Sequence, residues 1–104
     1  MGSYFHHCSL FRLRPGVTLH RVRDAREELQ QLVETLPGVL QFAVTDNLAD
    51  RNAGFTLALF AVFEDRRAFD IFRRHPEWHR VHDELLSPVI EEQIVAEGEE
   101  PERG

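Results

Sequence analysis

An α+β domain with the element order β-α-β-β-α-β is predicted by three observations. Alternating apolar residues mark strands at Tyr4–Leu13, Val39–Val44, Phe55–Phe63 and Val89–Ala96. Between the first two strands, Val22, Ala25, Leu29, Leu32, Val33 and Leu36 recur at helical spacing. After the third strand the pattern changes at Asp65 to a second helical region, with Ala68, Phe69, Ile71 and Phe72 as its apolar positions. This order is the split βαβ arrangement of ferredoxin-like domains, in which four strands form one antiparallel sheet and both helical regions lie on one face.

The first strand places Phe5, His7, Ser9, Phe11 and Leu13 on one face and Tyr4, His6, Cys8, Leu10 and Arg12 on the other. Both faces are partly apolar, as expected of a sheet covered on both sides. Arg14-Pro15-Gly16 is a turn, Thr18 is the expected N-cap of the first helix, and Pro37-Gly38 stops that helix. A polar loop, Asp46 to Ala53, separates the second and third strands. Pro76 forces the second helical region to restart: the residue before a proline avoids helical geometry, and proline suits the first turn of a new helix, here to about Leu86. Residues 1–97 are expected to form the domain and 98–104 a disordered acidic tail.

At 104 residues one hydrophobic core suffices, with no disulfide or metal staple. The net charge of −6 opposes binding to a phosphate backbone, so nucleic acid is not an expected partner. Four Glu and one Arg from Glu97 onward contribute half of that charge. No apolar run approaches the roughly 18 residues of a membrane span, and a single cysteine with no signal-like N-terminus leads to an expected cytoplasmic setting. All twelve basic residues are arginine, which excludes Schiff-base chemistry on lysine and covalent pyridoxal phosphate. With one tyrosine and three serines, the six histidines are the main chemical resource, and no cofactor is expected. Two helical regions cover only one sheet face, so the other would expose an apolar patch. A homodimer that closes two sheets into a barrel removes it.

Taken together, the histidine-led first strand, Arg14-Pro15-Gly16-Val17, Leu36-Pro37-Gly38-Val39, Gly54-Phe55-Thr56 and His75-Pro76 resemble the stress-responsive dimeric α/β-barrel (Dabb) domain family over about Phe5 to Glu97. The resemblance implies a dimeric α/β barrel, in some members with a ligand cavity between sheet and helices. Functions in the family range from stress-associated proteins without an assigned reaction to cofactor-free polyketide cyclases of the olivetolic acid type. In those cyclases a tyrosine and a histidine form an acid/base pair. Here His7 and His75-Pro76 match, whereas Phe72 stands at the tyrosine position, Trp78 at the catalytic histidine position with His79 next to it, and Leu57 at the third-strand histidine position.

His7 on the apolar face of the first strand is a candidate general base, with Ser9 beside it, and the bland alternative is a satisfied interior histidine. His79 is the second candidate proton carrier. His75 either orients a substrate or braces the helix restart. Leu29, Leu57, Leu59, Phe72 and Trp78 are expected to wall an apolar cavity suited to an aromatic or polyketide-like metabolite. His79, His82 and Asp83 share a helix face, but a solvated charged face accounts for them and no metal site is expected. Cys8 faces away from His7, which argues against a Cys–His pair. The leading expectation is a small-molecule-binding homodimer catalysing a cofactor-independent acid/base step of cyclase, aldol or dehydration type. The alternatives are a non-catalytic stress-associated or ligand-binding dimer, and a monooxygenase-like member of the wider dimeric barrel group.

Overall fold

Four strands and three helices make up the computed structural model, which describes residues 2–101. Strand β1 is Ser3–Leu13, β2 Val39–Asp46, β3 Leu57–Phe63 and β4 Ile90–Pro101. Helix α1 is Leu19–Glu34, α2 Arg66–Arg73 and α3 Pro76–Val81. The sheet is antiparallel in the order β2-β3-β1-β4, the ferredoxin-like topology expected from the sequence.

Register confirms the predicted faces of β1. Phe5 pairs with Phe63, His7 with Ala61, Ser9 with Leu59 and Phe11 with Leu57, all toward the helices. The core lies between this face and the helices: Val22, Ala25, Leu29, Leu32 and Val33 of α1 are buried with Phe5, Phe11, Leu57, Leu59, Phe63, Phe69 and Phe72. On the opposite face His6, Cys8 and Leu10 pair with Val62, Phe60 and Ala58. No described helix covers that side. Leu40, Phe60 and Ile94 are each about half exposed.

Local chemistry explains where the elements begin and end. Strand β3 starts at Leu57 rather than Phe55, because Asn47 and Asn52 divert the loop backbone. Asn47 Nδ2 donates to the Phe55 carbonyl at 2.8 Å, and Asn52 Oδ1 accepts from Gly54 N at 2.9 Å. Thr18 sits extended at the N-cap of α1 without a side-chain cap bond, whereas the Asp65 carboxylate caps α2 by accepting from Ala68 N at 2.8 Å. The helix predicted to reach Leu86 is regular only to Val81 and then widens into a π-type turn, His82–Leu86, followed by a 3-10 turn at Ser87–Val89. Arg80 ties this region to α1 through an ion pair with Glu28 and bonds Glu77 and Glu84 on its own side, which raises its pKa further.

The expected tail begins too early. Residues 98–101 belong to β4, where Gly98 pairs with His6, Glu100 with Tyr4 and Pro101 with Ser3. The long first strand offers a hydrogen-bonding edge along its whole length, so the acidic run continues the sheet instead of leaving it. Acidic side chains along this outer strand also discourage pairing with another edge. Residues 102–104 of the expected tail lie outside the described residues.

Gly38 adopts φ +87°, and a Cβ added there would stand 2.7 Å from Ala68 Cβ. Substitution therefore combines left-handed backbone strain with a clash against α2. We expect Gly38→Ala to lower the unfolding free energy by roughly 3 kcal/mol. Gly16→Ala, at φ +82° with open space around it, should cost only about 1 kcal/mol. Urea midpoints of the two variants check the difference.

Candidate functional site

The long antiparallel pairing of β1 with β4 assembles the most chemically organised cluster. His7 is directly opposite Glu97, and Ser9 opposite Val95, both on the helix side of the sheet. Side chains two apart on a strand share a face, so His7 and Ser9 are brought together by pleat alone. His7 Nε2 lies 2.7 Å from Ser9 Oγ, and His7 Nδ1–H donates to Glu97 Oε2 at 2.9 Å. Gln93 Nε2 donates to Ser9 Oγ at 3.3 Å from the same strand as Glu97. From above, the Phe69 ring stacks on His7 with centroids 5.4 Å apart.

Helices cover β1, β2 and β3 but leave β4 open. The His7 side chain is 14% exposed, while its partner Glu97 is 39% exposed. Ser9 is almost wholly buried and Val95 is half exposed. The cluster thus sits at the lateral margin of the helical layer, with Phe69 as one wall and the β4 face open beside it. Arg66 of α2 reaches Glu99 of β4 at 3.8 Å farther along that margin. Among buried polar groups this arrangement is economical, since Ser9 is satisfied by both His7 and Gln93.

Other predicted site residues are placed elsewhere. Leu29, Leu57, Leu59 and Phe72 were expected to wall a cavity and instead belong to the continuous core. Phenylalanine rings fill the space between sheet and helices. Phe72 packs against Phe42, Phe63 and Trp78 at centroid distances of 5.8, 5.6 and 5.1 Å. Trp78 is partly buried and touches His82 on its outer side. His75 braces the helix restart: its Nδ1 accepts from Glu77 N at 3.0 Å, which caps α3. It also lines a surface depression of about 420 Å³ with Glu28, Gln31, Thr35 and Arg80. His79 is exposed on α3, and no contact joins it to His7.

His82 donates to its neighbour Asp83 at 3.1 Å, and among the described residues no group of three or more His, Cys, Asp or Glu is placed to hold a metal ion. Burial raises the Cys8 thiol pKa, so its reactive thiolate is disfavoured, and Cys8 lies on the sheet face opposite His7. No described helix is long and apolar enough to cross a membrane. Glu97 and Gln93 were not among the predicted site residues. Strand alternation of Gln93, Val95, Glu97 and Glu99 was the available signal, hidden by reading the acidic run as a tail.

Similar folds occur in proteins of low sequence identity. A hydroxynitrile lyase from Passiflora edulis matches with TM-score 0.82 and 18% identity, covering 100% of this chain and 99% of that one. A dimeric ferredoxin-like protein of unknown function from Thermobifida fusca matches with TM-score 0.80 and 19% identity, covering 94% and 92%. A Dabb family protein with a ferredoxin-like fold from Mesorhizobium loti matches with TM-score 0.75 and 14% identity, covering 92% and 95%. No curated protein matches the sequence. The family model described as "Stress responsive A/B Barrel Domain" matches residues 5–99, and with nearly the whole chain inside that match, this protein belongs to the Dabb family.

Proposed function

We propose that the chain works as a cytoplasmic homodimer that binds a small, largely apolar metabolite at the β4 margin and performs a cofactor-independent acid/base step there. The carrying observation is the His7 cluster: an imidazole bonded to Glu97 and Ser9, stacked under Phe69 and open on one side. An imidazole exchanges protons near neutral pH, and an aromatic wall favours a planar or aromatic substrate. Cyclisation, aldol and dehydration steps on polyketide-like compounds each include a proton transfer of the kind such a group makes. That a protein of the same fold is a hydroxynitrile lyase supports lyase-type chemistry on this scaffold.

The uncovered sheet face supports the dimer. It carries the apolar side chains of Leu10, Phe60 and Val62 on the two central strands and of Leu40 and Ile94 on the two edge strands, and its ion pairs, Arg12–Glu92 and His6–Glu100, lie between β1 and β4. Four strands spaced about 4.8 Å apart and about 30 Å long present roughly 500 to 600 Å² of flat face, near the scale of one side of a standard interface once side-chain relief is added. Similar proteins from Thermobifida fusca and Bacteroides fragilis are described as dimeric.

A second reading, a non-catalytic ligand-binding dimer, is favoured by one observation: both ring nitrogens of His7 already have protein partners. Turnover of mandelonitrile, an aromatic hydroxynitrile, and ring closure of an aromatic-primed linear triketide decide between them. The acid/base reading expects His7→Ala to reduce kcat about 100-fold or more and His79→Ala to change it less than about twofold. Turnover untouched by His7→Ala removes the acid/base role. A folded dimer that binds these compounds without turning them over supports the binding reading.

A further inference from the structure

A continuous hydrogen-bond chain crosses the helix side of β1 and β4, from Gln93 through Ser9 and His7 to Glu97. Its direction is set at the Glu97 end, and the Gln93 end is compatible with it. A carboxylate only accepts, so the His7 nitrogen facing Glu97, Nδ1, must carry a hydrogen. The amide nitrogen of Gln93 only donates, so Ser9 Oγ accepts there and has its own hydrogen to give to His7 Nε2. Together the two ends leave neutral His7 with its proton on Nδ1 and its lone pair on Nε2.

We propose that Glu97 is a positioning residue that holds His7 in this tautomer, so that Nε2 is the nitrogen that takes up the substrate's proton through Ser9 Oγ. The proposal rests on the acid/base reading of His7. Cross-strand register makes the device rigid, because Glu97 is directly opposite His7 in a paired stretch that runs from Ser3 to Arg12. Substrates of the fitting class carry an acidic proton beside an apolar body, either a hydroxyl, as in a hydroxynitrile, or a C–H next to a carbonyl. In the step, the Ser9 hydrogen passes to His7 Nε2 as the substrate O–H or C–H bond breaks, the substrate proton replaces that hydrogen on Ser9 Oγ, and the electron pair stays on the substrate. Ser9 Oγ, again a hydroxyl, then accepts from the new Nε2–H. The resulting imidazolium faces the Glu97 carboxylate, which stabilises it.

The experiment is a two-bond ¹H–¹⁵N correlation spectrum of ring-labelled histidine at alkaline pH, on the full chain and on Glu97→Ala, Glu97→Gln and Ser9→Ala. Wild-type His7 should give one pyrrole-like Nδ1 and one pyridine-like Nε2. Glu97→Ala should populate both tautomers and lower kcat about 10-fold or more. Glu97→Gln keeps a carbonyl oxygen as acceptor and should restore the single-tautomer pattern, which a merely structural role for Glu97 does not require. Wild-type protein carrying the proton on Nε2, or a pattern unmoved in Glu97→Ala, overturns the proposal whatever the protein turns over. Absence of turnover with the tautomer pattern intact overturns the acid/base reading instead, so the two failures are distinguishable.

Discussion

Phe63→Ala should lower the unfolding free energy by about 4 kcal/mol, the middle of the range for deleting a buried aromatic ring. Phe63 is completely buried, and its ring meets those of Phe5, Phe69 and Phe72 at centroid distances of 6.5, 5.3 and 5.6 Å. Those three rings come from β1 and α2, so the cavity opens where sheet and helices join and neither layer can collapse into it alone. Domains of this size hold only about 5 to 15 kcal/mol of stability, and a loss on this scale corresponds to roughly 15–30 °C in Tm. Urea unfolding at fixed chain concentration measures it, because dimerisation would make stability depend on concentration. Ile71→Ala, on the exposed side of α2, is the control and should cost less than about 0.5 kcal/mol. A loss below about 1 kcal/mol for Phe63→Ala would contradict the aromatic core as the tie between layers.

Phe60→Asp should split the proposed homodimer without unfolding the chain. Phe60 is at the centre of the uncovered sheet face, opposite Cys8 of β1 and Ala43 of β2, and is half exposed. Its side chain points away from the core, so a carboxylate there is solvated in the separated chain. In a two-fold interface the substitution occurs twice and desolvates two charges. Two losses of about 2 kcal/mol each raise the dissociation constant about 1,000-fold. Sedimentation velocity across a concentration series reads the shift, with Ile71→Asp on the helix side as the neutral comparison. A Phe60→Asp protein that remains dimeric at the wild-type concentration would place the interface elsewhere.

The fold was legible because its signals are local. Period-two alternation in β1 assigned both faces, and Pro76 marked the break between α2 and α3 through the restriction it places on His75. Strand β4 was legible only to Ala96, because Glu97 to Glu100 reads as solvated acid until β1 supplies a pairing edge. The candidate site divides in the same way. His7 and Ser9 are two residues apart on one strand, and their shared face follows from the pleat. Glu97 is 90 residues from His7, and Gln93 is 84 from Ser9, so register alone joins them. The expected cavity wall failed for a different reason. Leu29, Leu57, Leu59 and Phe72 have the apolar character of a wall, yet apolar character alone does not distinguish a wall from a core.

Native mass spectrometry of gently purified protein, reading subunit number and any bound mass in one spectrum, tests the central claim most directly. A mass twice that of the 12.1 kDa chain, with a small organic adduct on each chain that is reduced in Phe69→Ala, is the predicted result. A single-chain mass at every concentration, with no adduct, would contradict both the closed sheet face and the metabolite site at the β4 margin.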